Sequence, residues 1–213
     1  MRSDLAPVWV AAVAAAIWGI WWIPIRYLET LGLHGAWGGM VMSAGAFLLA
    51  SGLMLVRRQR LHLDRRVFLG AVLAGVAIST YSTALNYTEV VRAVLLFYLA
   101  PAWSKLIEWY FLKIRWHWTS TLAIAAALMG AYLALGGEIT GGGLNFGDIL
   151  SIVCGMTWAC AAALIFSGDK PSAVSLTTVT TFSAVLVALP FALAAGLPDL
   201  GGAGAATVSV GAG

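Results

Sequence analysis

Residues 36–56 read AWGGMVMSAGAFLLASGLMLV, residues 57–66 read RRQRLHLDRR, and residues 67–85 read VFLGAVLAGVAISTYSTAL. The first and third segments carry no charge, and each is long enough to cross the hydrocarbon core as a helix, which takes about 20 apolar residues. The ten residues between them include five arginines. Two uncharged segments joined by a short basic loop are typical of a helical hairpin in a membrane.

The rest of the chain has the same character. Of its 213 residues, 61% are hydrophobic and 10% are charged, and the mean hydropathy is +0.91. Soluble domains carry about 25% charged residues, so this composition excludes a soluble or disordered protein. We predict an all-α polytopic membrane protein with about seven transmembrane helices, because helices satisfy their own backbone hydrogen bonds in lipid. The predicted spans are Val8–Ile25, Ala36–Val56, Val67–Leu85, Ala93–Leu112, Thr119–Leu135, Ile149–Phe166 and Val174–Ala195.

The positions of lysine and arginine predict the orientation. With the N-terminus in the cytoplasm, nine of these residues fall in inside segments and only Arg26 and Arg92 fall outside. This asymmetry is the pattern of a membrane protein with its basic loops in the cytoplasm. Binding of nucleic acid is not expected, because the basic cluster is a short loop between spans. We expect Arg92 to pair with Glu89, three residues before it, at the outer interface.

The first and sixth predicted spans resemble each other. Trp18 and Trp158 lie 140 residues apart at corresponding positions, and Val13 corresponds to Val153. The sixth span must cross in the direction opposite to the first. Inverted repeats of this kind are found in secondary transporters.

Five short motifs point to one family. They are WG at 18–19, ALNYT at 84–88, VLLFYLAP at 94–101, GD at 147–148 and WA at 158–159. Their order and spacing resemble the drug/metabolite transporter (DMT) superfamily, EamA type. The resemblance implies a ten-helix transporter made of two inverted five-helix halves around a central cavity, with both termini in the cytoplasm.

On this chain, the resemblance implies that residues 1–135 form the first EamA-like five-helix repeat and residues 148–213 an incomplete second repeat. The sequence departs from the family in two ways. Ile114-Arg115 stands where the family usually has an acidic residue followed by a basic one. Only seven of the ten expected spans are present, so the chain is expected either to be a fragment or to depend on a second membrane chain or a homodimer.

Candidate substrate-binding residues cluster in the fourth span. Tyr98, Pro101, Lys105 and Glu108 fall within an arc of about 80° on one helix. A charge near the bilayer centre costs about 2.5–3.5 kcal/mol, so this stripe is expected to face the bundle interior. Lys105 and Glu108 can serve as a substrate- or ion-sensing pair. Alternatively, they form a structural pair close enough to the cytoplasmic edge for lysine to reach it.

A hinge and three further candidates complete the predicted site. Pro101 lacks a backbone donor and should kink the fourth span near Phe97, as a hinge or as a static kink. Trp18 and Trp158 are candidate cavity walls that could stack on a flat or cationic substrate, or simply pack in the core. Thr83 belongs to a polar stretch of the third span, which either lines the outer mouth of a cavity or satisfies its hydroxyls within the helix.

We therefore predict a secondary transporter that exports a small organic metabolite across the cytoplasmic membrane by alternating access. The resemblance implies that this membrane is the bacterial inner membrane. The alternative is a non-transporting, truncated membrane protein or a scaffold for pairing helices. An enzyme is not expected, because His34, His62 and His117 all fall in loops. No cofactor or metal is expected, and the helical spacing of Cys154 and Cys160 prevents a disulfide. The expected partners are the substrate, the lipid bilayer and the second chain named above.

Overall fold

The computed structural model describes residues 6–110, 113, 115–134 and 144–198. Within these ranges the chain forms helices and no strand. In chain order the helices are α1 (Ala6–Gly19), α2 (Trp22–Thr30), α3 (Trp37–Val56), α4 (Arg65–Ala84), α5 (Val90–Phe97), α6 (Ala100–Tyr110), α7 (Trp118–Ala134), α8 (Phe146–Ser167) and α9 (Ala173–Ala194).

The prediction of an all-α polytopic membrane protein is confirmed. Six helical segments are long and apolar enough to cross a membrane, and α7 is a shorter apolar helix of 17 residues. The first span continues to Thr30, beyond the predicted end at Ile25. Arg26 and Glu29 can lie in this extension because they form an ion pair of 3.0 Å on the helix surface. Leu112, Leu135 and the Gly-rich segment 201–213 of the predicted organisation lie outside the described residues.

Two of the spans are interrupted, and a proline follows each interruption. The first span breaks between α1 and α2, where Trp21 N–H donates to the carbonyl of Trp18 at 3.1 Å. The fourth span breaks between α5 and α6, where Leu99 N–H donates to the carbonyl of Leu96 at 3.3 Å. Proline lacks the N–H that would bond four residues back and is best tolerated in the first turn of a helix. Each span therefore continues as a new helix after the break. Pro24 lies in the first turn of α2, and Pro101 lies in the first turn of α6.

Helix α4 forms the centre of the fold. It packs against α8 and α9, and α3 packs on the other side of α9. Small residues allow this close approach, as at Gly75, where a Cβ would lie only 2.5 Å from the carbonyl oxygen of Thr180. By contrast, α1 and the described side chains of α7 are almost wholly exposed, so these helices would face lipid or another helix.

The loops meet at two opposite ends of the bundle. At one end, Trp37 at the start of α3 donates its indole N–H to the carbonyl of Gly196, after α9, at 2.8 Å. At the other end, Gly168 after α8 lies beside Asp64 and Val67 at the start of α4. The five loop arginines of residues 57–66 therefore lie at the end opposite Arg26 and Arg92, as the charge pattern predicts.

Candidate functional site

A cluster of aromatic rings lies where the two broken spans meet α4 and α8. Trp18 stacks on Trp21 and Tyr81, both at 5.7 Å between ring centroids, and on Trp158 at 6.2 Å. Phe97, at the end of α5, contacts Tyr81 edge-on at 5.9 Å and Trp158 at 6.5 Å. The two tryptophans that the sequence places at corresponding positions are therefore neighbours in space, stacked on each other within one ring cluster.

Two other predicted site residues lie at different distances from this aromatic cluster. Tyr98 reaches it only through Phe97, at 6.1 Å, and its ring is largely exposed. Thr83 is fully buried in α4 and its hydroxyl has no hydrogen-bond partner within the described part of the chain. It lies two residues after Tyr81 on α4, so its side chain points to the opposite face of the helix from that ring. The structure thus brings Trp18 and Trp158 together but not Thr83.

The interruption of the fourth span lies directly against α8. Pro101 cannot donate to the carbonyl of Phe97, four residues before it, as the sequence predicts. Gly155 of α8 faces this carbonyl, since a Cβ on Gly155 would lie 3.0 Å from the Phe97 oxygen. The freed carbonyl therefore points at the backbone of a neighbouring helix, next to the aromatic cluster. Pro24 likewise follows the break in the first span, but the carbonyl of Ile20, four residues before it, accepts the N–H of Ile23 at 3.0 Å.

The predicted charged pair forms in the inner half of α6. Lys105 Nζ lies 2.9 Å from Glu108 Oε2, with the lysine side chain 15% exposed and the glutamate 40% exposed. Glu108 borders a groove of about 280 Å³ between α6 and α8. The groove is lined by Ser104, Glu108, Ala159, Ala162, Ala163, Phe166 and Ser167. It runs from Ser167, at the end of α8, to Ala159, beside Trp158.

A second polar site lies at the opposite end of the bundle. Asp148, in the first turn of α8, is completely buried, and its carboxylate accepts an ion pair of 2.7 Å from Arg92 of α5. The hydroxyl of Thr88 donates to the same carboxylate at 2.9 Å, and the backbone N–H of Asn145 donates to it at 3.0 Å. We refer to Thr88, Arg92, Asn145 and Asp148 as the outer cluster. A buried carboxylate needs this full set of partners, because an unpaired buried charge is strongly destabilising.

The outer cluster corrects one expectation from the sequence. The predicted pairing of Arg92 with Glu89 is wrong, because the Arg92 guanidinium binds Asp148 instead. The spacing Asn145-x-x-Asp148 forms a capping box, in which each side chain accepts the other residue's backbone N–H. That spacing was a readable helix-start signal, but it does not reveal that the Asp148 carboxylate also binds a distant helix.

Gly147 brings the two parts of the outer cluster together. A Cβ at this position would lie 2.8 Å from the backbone nitrogen of Thr88 and 2.9 Å from its Cβ. Only glycine allows the start of α8 to lie this close to the turn that joins α4 and α5. The cluster also borders a polar cleft of about 450 Å³. The cleft is lined by Arg26, Asn86, Tyr87, Thr88, Glu89, Arg92 and Asn145.

Comparison with known proteins identifies the family of the chain. The model of the EamA-like transporter family matches residues 5–136. No curated protein and no solved structure matches the chain. The family match covers more than half of the sequence and includes α1 to α7. The chain therefore belongs to the EamA-like transporter family, which consists of membrane transporters of the DMT type.

Proposed function

We propose that this protein exports a small organic metabolite across the bacterial inner membrane, with its N-terminus in the cytoplasm, by alternating access. In this proposal residues 1–135 are the first five-helix repeat and residues 148–213 part of an inverted second repeat. The substrate binds between them, beside Trp18 and Trp158. Three helices of a complete second repeat would come from elsewhere in a longer protein, from a second membrane chain or from a second copy.

The observation that carries the proposal is the stacking of Trp18 on Trp158 at 6.2 Å. The two residues lie at corresponding positions of the first and sixth spans, and they meet beside the breaks in the first and fourth spans. Discontinuous membrane helices are typical of substrate sites in secondary transporters, because their free backbone groups can face a cavity. The aromatic faces suit a flat or cationic group of the substrate.

The two polar sites support a path for the substrate on each side of the aromatic cluster. The groove beside Glu108 leads from the end of α8 to Ala159, next to Trp158. We propose that Lys105 and Glu108 meet the substrate in this groove, with Tyr98 at the edge of the aromatic cluster. The outer cluster would keep the opposite end closed, since Arg92 and Asp148 hold α5 against α8. Movement about Pro101, together with a shift of α4 around Thr83, would open it.

The test compares the metabolites that cells release into the medium with and without the protein. Cells that express the chain should release a specific compound, and Trp18→Ala or Trp158→Ala should abolish this release. Trp118→Ala is the matched control, because Trp118 is an exposed residue at the start of α7 that contacts neither tryptophan. Each variant must be present in the membrane at the level of the unmodified protein.

Two outcomes would contradict the proposal. If no compound differs for the chain alone, nor for the chain joined to or co-expressed with a complete second half, the protein is not an exporter. If a compound is released but Trp118→Ala reduces its release as much as Trp18→Ala, the aromatic cluster is not the binding site. The same measurement with Lys105→Ala and Glu108→Ala separates a role in transport from a structural ion pair.

A further inference from the structure

An apolar groove lies on the surface of the bundle where α3, α4 and α9 meet. Its volume is about 500 Å³, and it is separate from the aromatic cluster and from the two polar sites. Phe47 of α3 and Phe182 of α9 form part of its wall, with ring centroids 5.3 Å apart. The lining also includes Leu61, Phe68, Val72 and Leu186.

The groove ends at the most basic segment of the chain. Leu61 belongs both to the groove wall and to the loop 57–66, and Phe68 lies in the first turn of α4, two residues after Arg66. The loop carries five arginines and one acidic residue, Asp64. Asp64 accepts the backbone N–H of Arg66 as the N-cap of α4.

The arginines of this loop differ from the two at the other end of the bundle. Arg26 is paired with Glu29, and Arg92 is paired with Asp148. All five loop arginines are exposed, and within the described residues none of them forms an ion pair or a side-chain hydrogen bond. Five guanidinium groups beside an apolar groove at a membrane edge form a surface with one charged and one apolar part.

One of these arginines occupies an unfavourable backbone conformation. Arg58 follows the end of α3 with φ of 49°, and its N–H donates to the carbonyl of Leu55 at 3.0 Å. This left-handed position at the end of a helix favours glycine. A long cationic side chain therefore stands in the basic loop at a position where local geometry alone would favour glycine.

We propose that this groove is a binding site for an anionic phospholipid. One acyl chain lies in the groove, and the lipid phosphate binds the arginines of residues 57–66. Arginine presents a planar fork of donors that matches phosphate oxygens, and basic pockets at membrane edges favour anionic headgroups. A zwitterionic lipid offers the same chains, but its headgroup carries a cation that the arginines repel. The site should therefore prefer phosphatidylglycerol to phosphatidylcholine.

The test measures binding of each lipid to the purified, delipidated full chain by native mass spectrometry. We expect phosphatidylglycerol to bind more tightly than phosphatidylcholine. Replacing Arg58 and Arg60 by glutamine should weaken phosphatidylglycerol binding about fivefold for each arginine, which corresponds to about 1 kcal/mol per charge at an anionic surface. Arg26→Gln is the matched control and should leave the preference unchanged.

A second pair of variants tests the groove without changing charge. Val72→Trp should fill the groove and weaken phosphatidylglycerol binding, whereas Leu49→Trp places the same ring on an exposed part of α3 outside the groove. If the glutamine variants do not fold, Arg58→Gly replaces them, because glycine accepts the positive φ at that position.

Three results would overturn the proposal. They are equal binding of the two lipids, an equal loss of binding in Arg26→Gln, and unchanged binding in Val72→Trp. The last result would mean that the arginines attract anionic lipids in general and that the groove is not a specific binding site for one lipid molecule. The measurement requires no transport, so its outcome is independent of the export experiment.

Discussion

At the scale of single residues, Asp148 has the most demanding environment in the described part of the chain. Its side chain is completely buried, and Arg92, 26% exposed, supplies the compensating charge. The hydrogen bonds from Thr88 and Asn145 orient the carboxylate but carry no full charge. The stability of this end of the bundle should therefore depend on Arg92.

We expect Arg92→Gln to lower the free energy of unfolding by about 3 kcal/mol, because loss of one partner of a buried ion pair costs about 3–5 kcal/mol and Arg92 is partly exposed. The measurement is denaturant-induced unfolding in detergent. Arg26→Gln is the control, since its ion pair with Glu29 is on the helix surface and should be worth about 0.5 kcal/mol. Equal losses in the two variants would refute the special role of the outer cluster.

The same substitution should also open this end of the bundle. Cys154 is buried on α8, six residues inward from Asp148, which is about 9 Å along a helix. In a Cys160→Ala background, Arg92→Gln should increase the rate at which a water-soluble thiol reagent labels Cys154, whereas Arg26→Gln should not. If labelling stays as slow as in the parent protein, the ion pair does not keep this end closed.

Gly147 offers a steric test of the same contact. We expect Gly147→Ala to destabilise the protein by about 1–3 kcal/mol, the usual cost of overpacking, because the added Cβ would meet the backbone of Thr88. Gly52→Ala is the matched control in α3, where a Cβ would meet nothing within 4 Å. It should gain up to about 1 kcal/mol from helix propensity. Thermal midpoints in detergent distinguish the two, and stabilisation by Gly147→Ala would contradict the packing described here.

The residues differ in how far the sequence could predict them. Trp18 and Trp158 could be related to each other because the sequence predicts an inverted repeat in which they occupy corresponding positions. Asp148 and Arg92 lie 56 residues apart on unrelated helices, and nothing in the pattern links them. Glu89 was the nearer partner for Arg92, yet the chain folds so that the guanidinium faces a buried carboxylate, where the attraction is less screened by water.

At the scale of elements, three prolines within spans differ in whether the helix is interrupted beside them. Pro24 and Pro101 each follow a break, whereas α9 continues through Pro190 without one. Helix α9 is packed between α3 and α4 along most of its length, so tertiary contacts hold its two halves in line. The first span has few such contacts, since only 6% of its 18 most apolar consecutive residues are buried.

Pro101→Ala tests the function of the break in the fourth span. Alanine restores the donor to the Phe97 carbonyl, so α5 and α6 should join into one helix and lose the contact with Gly155. We expect release of the exported compound to fall severalfold while the thermal midpoint stays equal or rises. Pro190→Ala, within a continuous helix, should leave release unchanged. A fully active Pro101→Ala protein would show that the break is not needed as a hinge.

The sequence predicted the existence of these elements better than their interruptions. Apart from the two breaks and the ends of the spans, all seven predicted spans are helical where they are described, because a long apolar stretch has no other stable form in lipid. The breaks were harder to locate. A proline within an apolar segment does not by itself distinguish Pro101, which follows a break, from Pro190, which lies inside a continuous helix.

At the scale of the whole molecule, the distribution of charge predicts orientation. Single cysteines at Gln59 and Leu144, in a background without Cys154 and Cys160, would lie at opposite ends of the bundle. An impermeant thiol reagent added to intact cells should label Leu144→Cys and not Gln59→Cys, whereas permeabilised cells should show both. Labelling of Gln59→Cys in intact cells would reverse the proposed orientation, and equal labelling would rule out a single topology.

The position of α4 has a consequence for how the protein is made. Helix α4 lies within the segment that matches the family, yet its main neighbours, α8 and α9, lie beyond that segment. Helix α9 ends 110 residues after α4. At about 5–20 residues per second, the ribosome needs roughly 5 to 20 seconds to deliver those neighbours. During that interval the hydroxyl-rich surface of α4 has neither of these neighbours, so assembly of the bundle cannot finish before α9 has been synthesised.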